Sequence, residues 1–128
     1  SYFAKCFKKY FKVSPNDIKN PSFSEKRFFE KVFKSINQNL YDSNFGVNDL
    51  AKSLLISRSK LYRKIRMYKS ETATAFIRRI RLELAKDMLD KTNLNICEIS
   101  YKVGYSSPSY FSKCFKRHFG KIPKEIRN

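Results

Sequence analysis

Apolar positions recur with the period of a helix along most of the 128 residues, and only three glycines interrupt them. Phe28, Phe29, Val32, Phe33 and Ile36 keep the i, i+3, i+4 spacing of one buried stripe. They predict a helix over about residues 25–40, with Ser24 as its cap. Residues 41–46 are turn formers. A short helix is then predicted over about 47–54, capped by Asn48 or the residues just before it, and Ser57 caps another over about 58–68, with Leu61 and Ile65 inward. The longest pattern covers about 72–89, with Ala73, Phe76, Ile77, Ile80, Leu84 and Met88 as its core stripe. At 1.5 Å per residue that helix is ~27–30 Å long. Residues 93–95 break it. A short helix over about 96–103 ends at Gly104. Ser107 caps a helix that begins with Pro108, the one helical position proline favours, and Gly120 stops it after Phe119. Pro123 opens a last short turn of helix. No segment alternates with period two, so the expected class is all-α.

The helical pattern repeats internally. Val47, Asp49, Leu50, Ala51 and Leu54 match Ile96, Glu98, Ile99, Ser100 and Val103. After a one-residue insertion in the second turn, Ser57, Leu61, Arg63 and Ile65 match Ser107, Phe111, Lys113 and Phe115. Each copy is a short helix, a turn, a serine cap and a basic helix, with a small residue where the two helices must pack closely. That is a helix-turn-helix pattern. Two copies, over about 47–68 and 96–119, are joined by a linker helix over about 72–90. Successive major-groove faces of B-DNA lie ~34 Å apart, so a stiff linker of about 30 Å could hold two basic helices in adjacent grooves. A second repeat relates residues 1–20 to 109–128, with eleven of twenty positions identical. Residues 1–24 therefore resemble a duplicated recognition helix plus linker, either the tail of a tandem domain copy or a remnant packed as an extra helix. The chain opens on Ser1, not methionine, and is expected to begin inside a longer protein.

Charge sharpens the picture. The chain has 28 Lys+Arg against 11 Asp+Glu, a net +17, spread as +6, +6 and +5 over residues 1–40, 41–94 and 95–128. A folded chain that tolerates such self-repulsion is expected to have a polyanionic partner. Cys6, Cys97 and Cys114 have no paired spacing, and His118 is the only histidine, so disulfide frameworks, the usual zinc sites and Cys–His catalysis are not expected. Cys97 and Cys114 read as small core or half-buried residues. No cofactor and no enzymatic activity are expected. No apolar run approaches the ~20 residues that cross a bilayer, and a cytoplasmic protein is expected.

The stretches ISRSKLYRKI (56–65), FIRRIRLELAKDML (76–89) and ICEISYKVGYSSPSYFSKCFKRHFGKIPKEIR (96–127) resemble the AraC/XylS family of bacterial transcription activators. Ile99, Val103, Gly104, Tyr105, Ser109, Tyr110, Phe111, Phe115, Lys116, Phe119, Gly120 and Pro123 follow the family signature. The likeness covers about residues 26–128 and is nearest to versions fused to hybrid two-component sensors. Ser107 stands where those usually carry aspartate or asparagine, and Ser100 where alanine is common. The resemblance implies a homeodomain-like fold of seven helices in two helix-turn-helix subdomains bridged by a linker helix, with the AraC-type domain over 25–128. It also implies binding to double-stranded DNA upstream of promoters and contact with RNA polymerase. Carried over by position, Ser59, Tyr62 and Arg63 of the first recognition helix and Ser109, Tyr110, Ser112 and Lys113 of the second would face bases.

The helical wheel agrees. With Leu61 and Ile65 inward, Ser59, Tyr62, Arg63 and Arg66 face out. With Phe111 and Phe115 inward, Ser109, Ser112, Lys113 and Lys116 face out. With Lys60, Tyr110 and the caps Ser57 and Ser107 these form the candidate DNA-binding set. Arg63 can offer a fork to guanine or bind a phosphate. Lys113, a flexible point charge, suits phosphate at least as well. Tyr62 can touch a thymine methyl or a phosphate, or pack sideways on the linker helix. Arg78, Arg79 and Arg81 read as a solvated face, with Arg81 paired near Glu83 or Asp87, or as phosphate contacts. His118 is expected at the surface near the DNA backbone. The isolated module is expected to be monomeric, with a dimer allowed for its parent. The rival reading is a structural nucleic-acid binder without sequence preference.

Overall fold

The computed structural model describes residues 23–127. The repeat of the second recognition helix at residues 1–20 lies outside the described residues. Those described form seven helices: α1 Phe23–Gln38, α2 Val47–Ser53, α3 Arg58–Lys69, α4 Ala73–Lys91, α5 Ile96–Lys102, α6 Pro108–Phe119 and α7 Pro123–Arg127. The fold is all-α, as the apolar period implied.

The starts of these helices follow their polar caps. Ser57, Thr72, Asn95 and Ser107 each accept a hydrogen bond from the backbone N–H three residues on, at 2.8–3.3 Å. Each thereby satisfies a donor that the first helical turn leaves open. One expected cap differs, and at α2 the choice left open between Asn48 and the residues before it falls on the latter. Ser24 lies inside α1, which already includes Phe23, and so does not cap it. Asn48 sits inside α2, whose cap is Gly46; the Asp49 carboxylate accepts from the Gly46 N–H at 3.1 Å, so the acidic residue at the third position does the capping.

The internal repeat extends to the backbone of both turns. Ile56 N–H donates to Ala51 O at 3.1 Å, and Tyr105 N–H donates to Ser100 O at 2.9 Å. One residue earlier, Leu55 N–H reaches Lys52 O and Gly104 N–H reaches Tyr101 O, both at 3.1 Å. Both residues are left-handed, with φ of 58° at Leu55 and 88° at Gly104. The small residues inside the turns, Ala51 and Ser100, are buried, and the Ser100 hydroxyl donates to Cys97 O at 2.7 Å.

Leucine at a left-handed position costs about 1–2 kcal/mol. Leu55 is 92% exposed and recovers nothing by burial. Glycine there would lose that strain, against ~0.5–1 kcal/mol of extra chain entropy in the unfolded state. Leu55→Gly is therefore expected to stabilise the chain by about 0.5–1 kcal/mol, raising the melting temperature by ~2–6 °C. A melt at or below that of the parent would mean Leu55 is not strained.

The core is continuous. α1, α2 and α3 form a first lobe around Phe29, Val32, Ile36, Leu50, Leu61 and Ile65, all fully buried. α5, α6 and α7 form a second around Ile99, Val103, Phe111 and Phe115. Burying each such side chain contributes roughly 1.5–3 kcal/mol. Between the lobes runs α4, which packs on α2 and α3 and on α5, α6 and α7. Its 19 residues span about 28 Å at 1.5 Å per residue. The expected single stripe is incomplete. Leu82, Ala85 and Leu89 are buried beside Ala73, Phe76, Ile77, Ile80 and Leu84, while Met88 is only half-buried. A helix that serves two cores needs two apolar faces. Phe76 meets Phe29 and Phe33 of the first lobe, with ring centroids 5.6 and 6.2 Å apart, and Lys86 covers the Phe119 ring of the second at 5.1 Å.

Arg81 corrects the sequence reading of the linker. It is not on a solvated face and does not pair with Glu83 or Asp87: only 6% of it is exposed, and its guanidinium donates to main-chain carbonyls. Burial lowers its pKa, opposed by the nearby Tyr105 and Asp42. Arg79 instead forms an ion pair with Glu71, and Glu83 Oε1 lies 3.4 Å from His118 Nε2. Arg127 donates to Leu89, Thr92 and Leu94 carbonyls, so α7 closes the end of α4. Cys114 is buried, but Cys97 is exposed, contrary to the expectation of a core or half-buried residue.

Candidate nucleic-acid interface

α3 and α6 present matching surfaces for matching reasons. Leu61 and Ile65 lock α3 into the first lobe, and Phe111 and Phe115 lock α6 into the second. The arc of each helix opposite its core residues is turned to solvent. On α3, Ser59, Lys60, Arg63 and Arg66 are exposed, with the exposed cap Ser57 at the start. On α6, Ser109, Tyr110, Lys113 and Lys116 are exposed, while Ser112 and the cap Ser107 are half-buried. At about 100° per residue, Ser59, Tyr62, Arg63 and Arg66 share one side of α3, and Ser109, Ser112, Lys113 and Lys116 share the equivalent side of α6. Lys60 falls off that arc.

Tyr62 is half-buried and joins the edge of the core. Arg58 Nη2 donates to its hydroxyl at 3.2 Å, and the same guanidinium lies 5.3 Å from the ring centroid. The bond from Arg58, helped by Thr74 at the start of α4, lowers the pKa of the phenol. Sideways packing toward the linker helix is thus part of this residue's role, and its hydroxyl stays at the surface.

Between the two exposed helices lies a cleft of about 550 Å³. Its walls include Arg58 and Tyr62 of α3, Thr74 and Arg78 of α4, and Ser106 and Tyr110 beside and on α6. Arg78 is exposed and Tyr110 is 56% exposed. Tyr105 forms part of the floor; it is buried, and that burial, with Cys114 next, raises its pKa. Arg58 and Ser106 were absent from the sequence-derived set. Arg58 had a legible signal, since it stands four residues before Tyr62 at the start of a helix, where i, i+4 side chains meet. Ser106 had none, because it is the inserted residue of the second turn. Among the described residues, no cluster of His, Cys, Asp or Glu is placed to hold a metal ion, and no helix is long and apolar enough to cross a membrane.

Residues 50–128 match a family described as a helix-turn-helix domain. The chain belongs to the AraC-type helix-turn-helix family. Among AraC-type relatives, the Msm operon regulatory protein of Streptococcus mutans is 36% identical over 110 residues, covering 86% of this chain and 39% of its own length. The Histidine kinase P4 of Formosa agariphila is 36% identical over 116 residues, which is 91% of this chain and 8% of that protein. The chain thus spans well under half the length of these relatives. The solved C-terminal domain of AraT, a response regulator from Geobacillus stearothermophilus, superposes with a TM-score of 0.70 at 29% identity, covering 83% of this chain and 84% of that one. The AraC-type fold of two helix-turn-helix units on one linker helix is therefore the fold of this chain.

Proposed function

We propose that the chain is the sequence-reading, double-stranded DNA-binding module of a bacterial transcription regulator, with α3 and α6 lying in successive major grooves on one side of the duplex. The observation that carries this is the pair of capped, basic helices, alike in their exposed residues and held apart by a buried linker about 28 Å long. Ser59 and Arg63 on α3 and Ser109 and Ser112 on α6 would reach into the grooves. Ser57, Lys60, Arg66, Ser107, Lys113 and Lys116 would hold phosphates at their margins, and Tyr62 and Tyr110 would border the backbone. The duplex between the two grooves would cross the cleft, where Arg58 and Arg78 offer positive charge to its phosphates. Having two reading helices in one chain, the module would bind as a monomer. In its parent it would act in the cytoplasm, with RNA polymerase as a protein partner. The relatives' names support regulation as the role of the family, and the basic, concave face between α3 and α6 supports DNA as what this chain holds.

Arg63 and Lys113 separate base reading from phosphate holding. Selection of bound sequences from a random duplex library at about 150 mM salt is expected to return two short motifs ~10–11 base pairs apart. Arg63→Ala is expected to blur one motif, with a loss of about 1–3 kcal/mol on the preferred site. Lys113→Ala is expected to weaken all sequences more evenly, with a salt slope lower by about 1. The net charge of +17 favours the second reading, a structural binder indifferent to sequence. It would be established by a library with no enriched motif.

A further inference from the structure

We propose that Arg81 is a positioning residue for recognition: by tying both lobes to the linker helix, it sets the separation and angle of α3 and α6 and hence the half-site spacing the protein accepts. The inference rests on the two-groove reading above. Arg81 stands near the middle of α4, where the lobes meet. Its Nη1 donates to Leu40 O at 2.6 Å and to Val103 O at 2.7 Å. Its Nη2 donates to Asp42 O and Phe45 O, both at 3.1 Å. Leu40, Asp42 and Phe45 belong to the connection between α1 and α2 in the first lobe, and Val103 closes α5 in the second. One nitrogen therefore binds both lobes at once. All four partners are main-chain carbonyls, so the guanidinium holds the paths of the two backbones rather than one side chain. A planar guanidinium has fixed donor directions, and a change of angle between the lobes would misalign several bonds together.

Two further observations place this clamp at the hinge. A Cβ at Gly104 would lie 1.5 Å from Arg81 Nη1 and 2.4 Å from Leu40 O. The backbones of the lobes approach this closely only because position 104 lacks a side chain. Arg81 is also only 6% exposed although it borders the cleft, so four main-chain carbonyls share a guanidinium largely withdrawn from water. Adhesion between lobes alone would not need a charge, since apolar residues of similar volume often replace buried charged groups without loss of stability. What the fork adds is direction. One base pair of added spacing moves a half-site by ~3.4 Å and turns it by about 34°, a change that lobes held at a fixed angle cannot follow.

The test uses the purified chain and duplexes carrying the selected half-sites at the preferred spacing, one base pair shorter and one longer, together with duplexes carrying a single half-site. For the parent chain, each altered spacing is expected to weaken binding at least tenfold. Arg81→Lys keeps the charge and the stem but loses the planar fork. It is expected to reduce that spacing penalty at least threefold while leaving single half-site affinity within about twofold of the parent. A merely structural role would weaken all duplexes in proportion. A folded Arg81→Lys chain whose spacing penalty stays within threefold of the parent's would overturn the proposal. If Arg81→Lys does not fold, the parent series decides alone: a penalty of tenfold or more supports the clamp, and a smaller one overturns it. A parent chain that selects no motif at all would instead sink the DNA-reading function on which the inference rests.

Discussion

Gly104→Ala is expected to destabilise the chain by about 4 kcal/mol or more, and Gly120→Ala by only about 1–2 kcal/mol. The two glycines have nearly the same backbone, with φ of 88° and 80°. Both substitutions force alanine into the left-handed region and share that strain. They differ in what the new methyl meets. At Gly120, which ends α6, nothing lies within 4 Å of the added Cβ. At Gly104 the Cβ would overlap Arg81 Nη1 and crowd Leu40 O, so the guanidinium must leave. A buried charge stripped of its partners costs roughly 3–5 kcal/mol. A small domain has only about 5–15 kcal/mol in total, so the Gly104 variant should be close to unfolding while the Gly120 variant should not. Urea titrations of the parent and both variants, followed by helical circular dichroism, measure the difference. Equal losses at the two positions would show that both Arg81 and the Leu40 main chain give way freely, and that the guanidinium's bonds to the carbonyls contribute little.

Most of the architecture was legible because local signals agree along this chain. Ser57 and Ser107 mark the starts of two helices, Gly104 and Gly120 mark ends, and the apolar period marks the buried faces of α1, α3 and α6. The repeat was legible for the same reason, since two turns with one hydrogen-bond pattern require similar residues at similar places. What escaped is what depends on contacts distant in sequence. Arg81 follows Arg78 and Arg79 after one residue and looks like part of a solvated run. Its burial follows from carbonyls 36 to 41 residues earlier and 22 later, which no local pattern reveals. The second apolar face of α4 escaped because a periodicity search seeks one stripe, and a helix between two cores has two. Leu55 has no sequence signal for a left-handed backbone; only its match to Gly104 across the repeat suggests one. Cys97 was misjudged by residue type, since cysteine is usually buried, but its place in the first turn of α5 leaves it outside the core. The exposed arcs of α3 and α6 were legible in part. Outward positions follow from the wheel once the core is known, whereas Arg58, Thr74, Arg78 and Ser106 come together only when the lobes are assembled around α4.

Affinity for DNA is expected to fall about a thousandfold between 50 and 200 mM salt, the fall that belongs to roughly six phosphate contacts. The count comes from the surface. Arg58, Lys60, Arg66, Arg78, Lys113 and Lys116 are exposed on or beside the face that holds α3, α6 and the cleft. No Asp or Glu belongs to α3 or α6 themselves. Each phosphate neutralised releases bound counterions, and their dilution drives binding, so every contact contributes about 0.9 to the slope of log affinity against log salt. Arg78 offers the sharpest version of the test. It lies on α4, outside both helix-turn-helix units, and faces the cleft rather than a groove floor. Arg78→Ala should lower the slope by about 1 and weaken preferred and unrelated duplexes by the same factor, leaving the selected motifs unchanged. If the motifs blur instead, Arg78 reads bases or groove shape, and the cleft is part of the sequence-reading surface. If neither slope nor motif changes, the duplex does not enter the cleft, and the two recognition helices must engage it at an angle that leaves the space between them open to solvent.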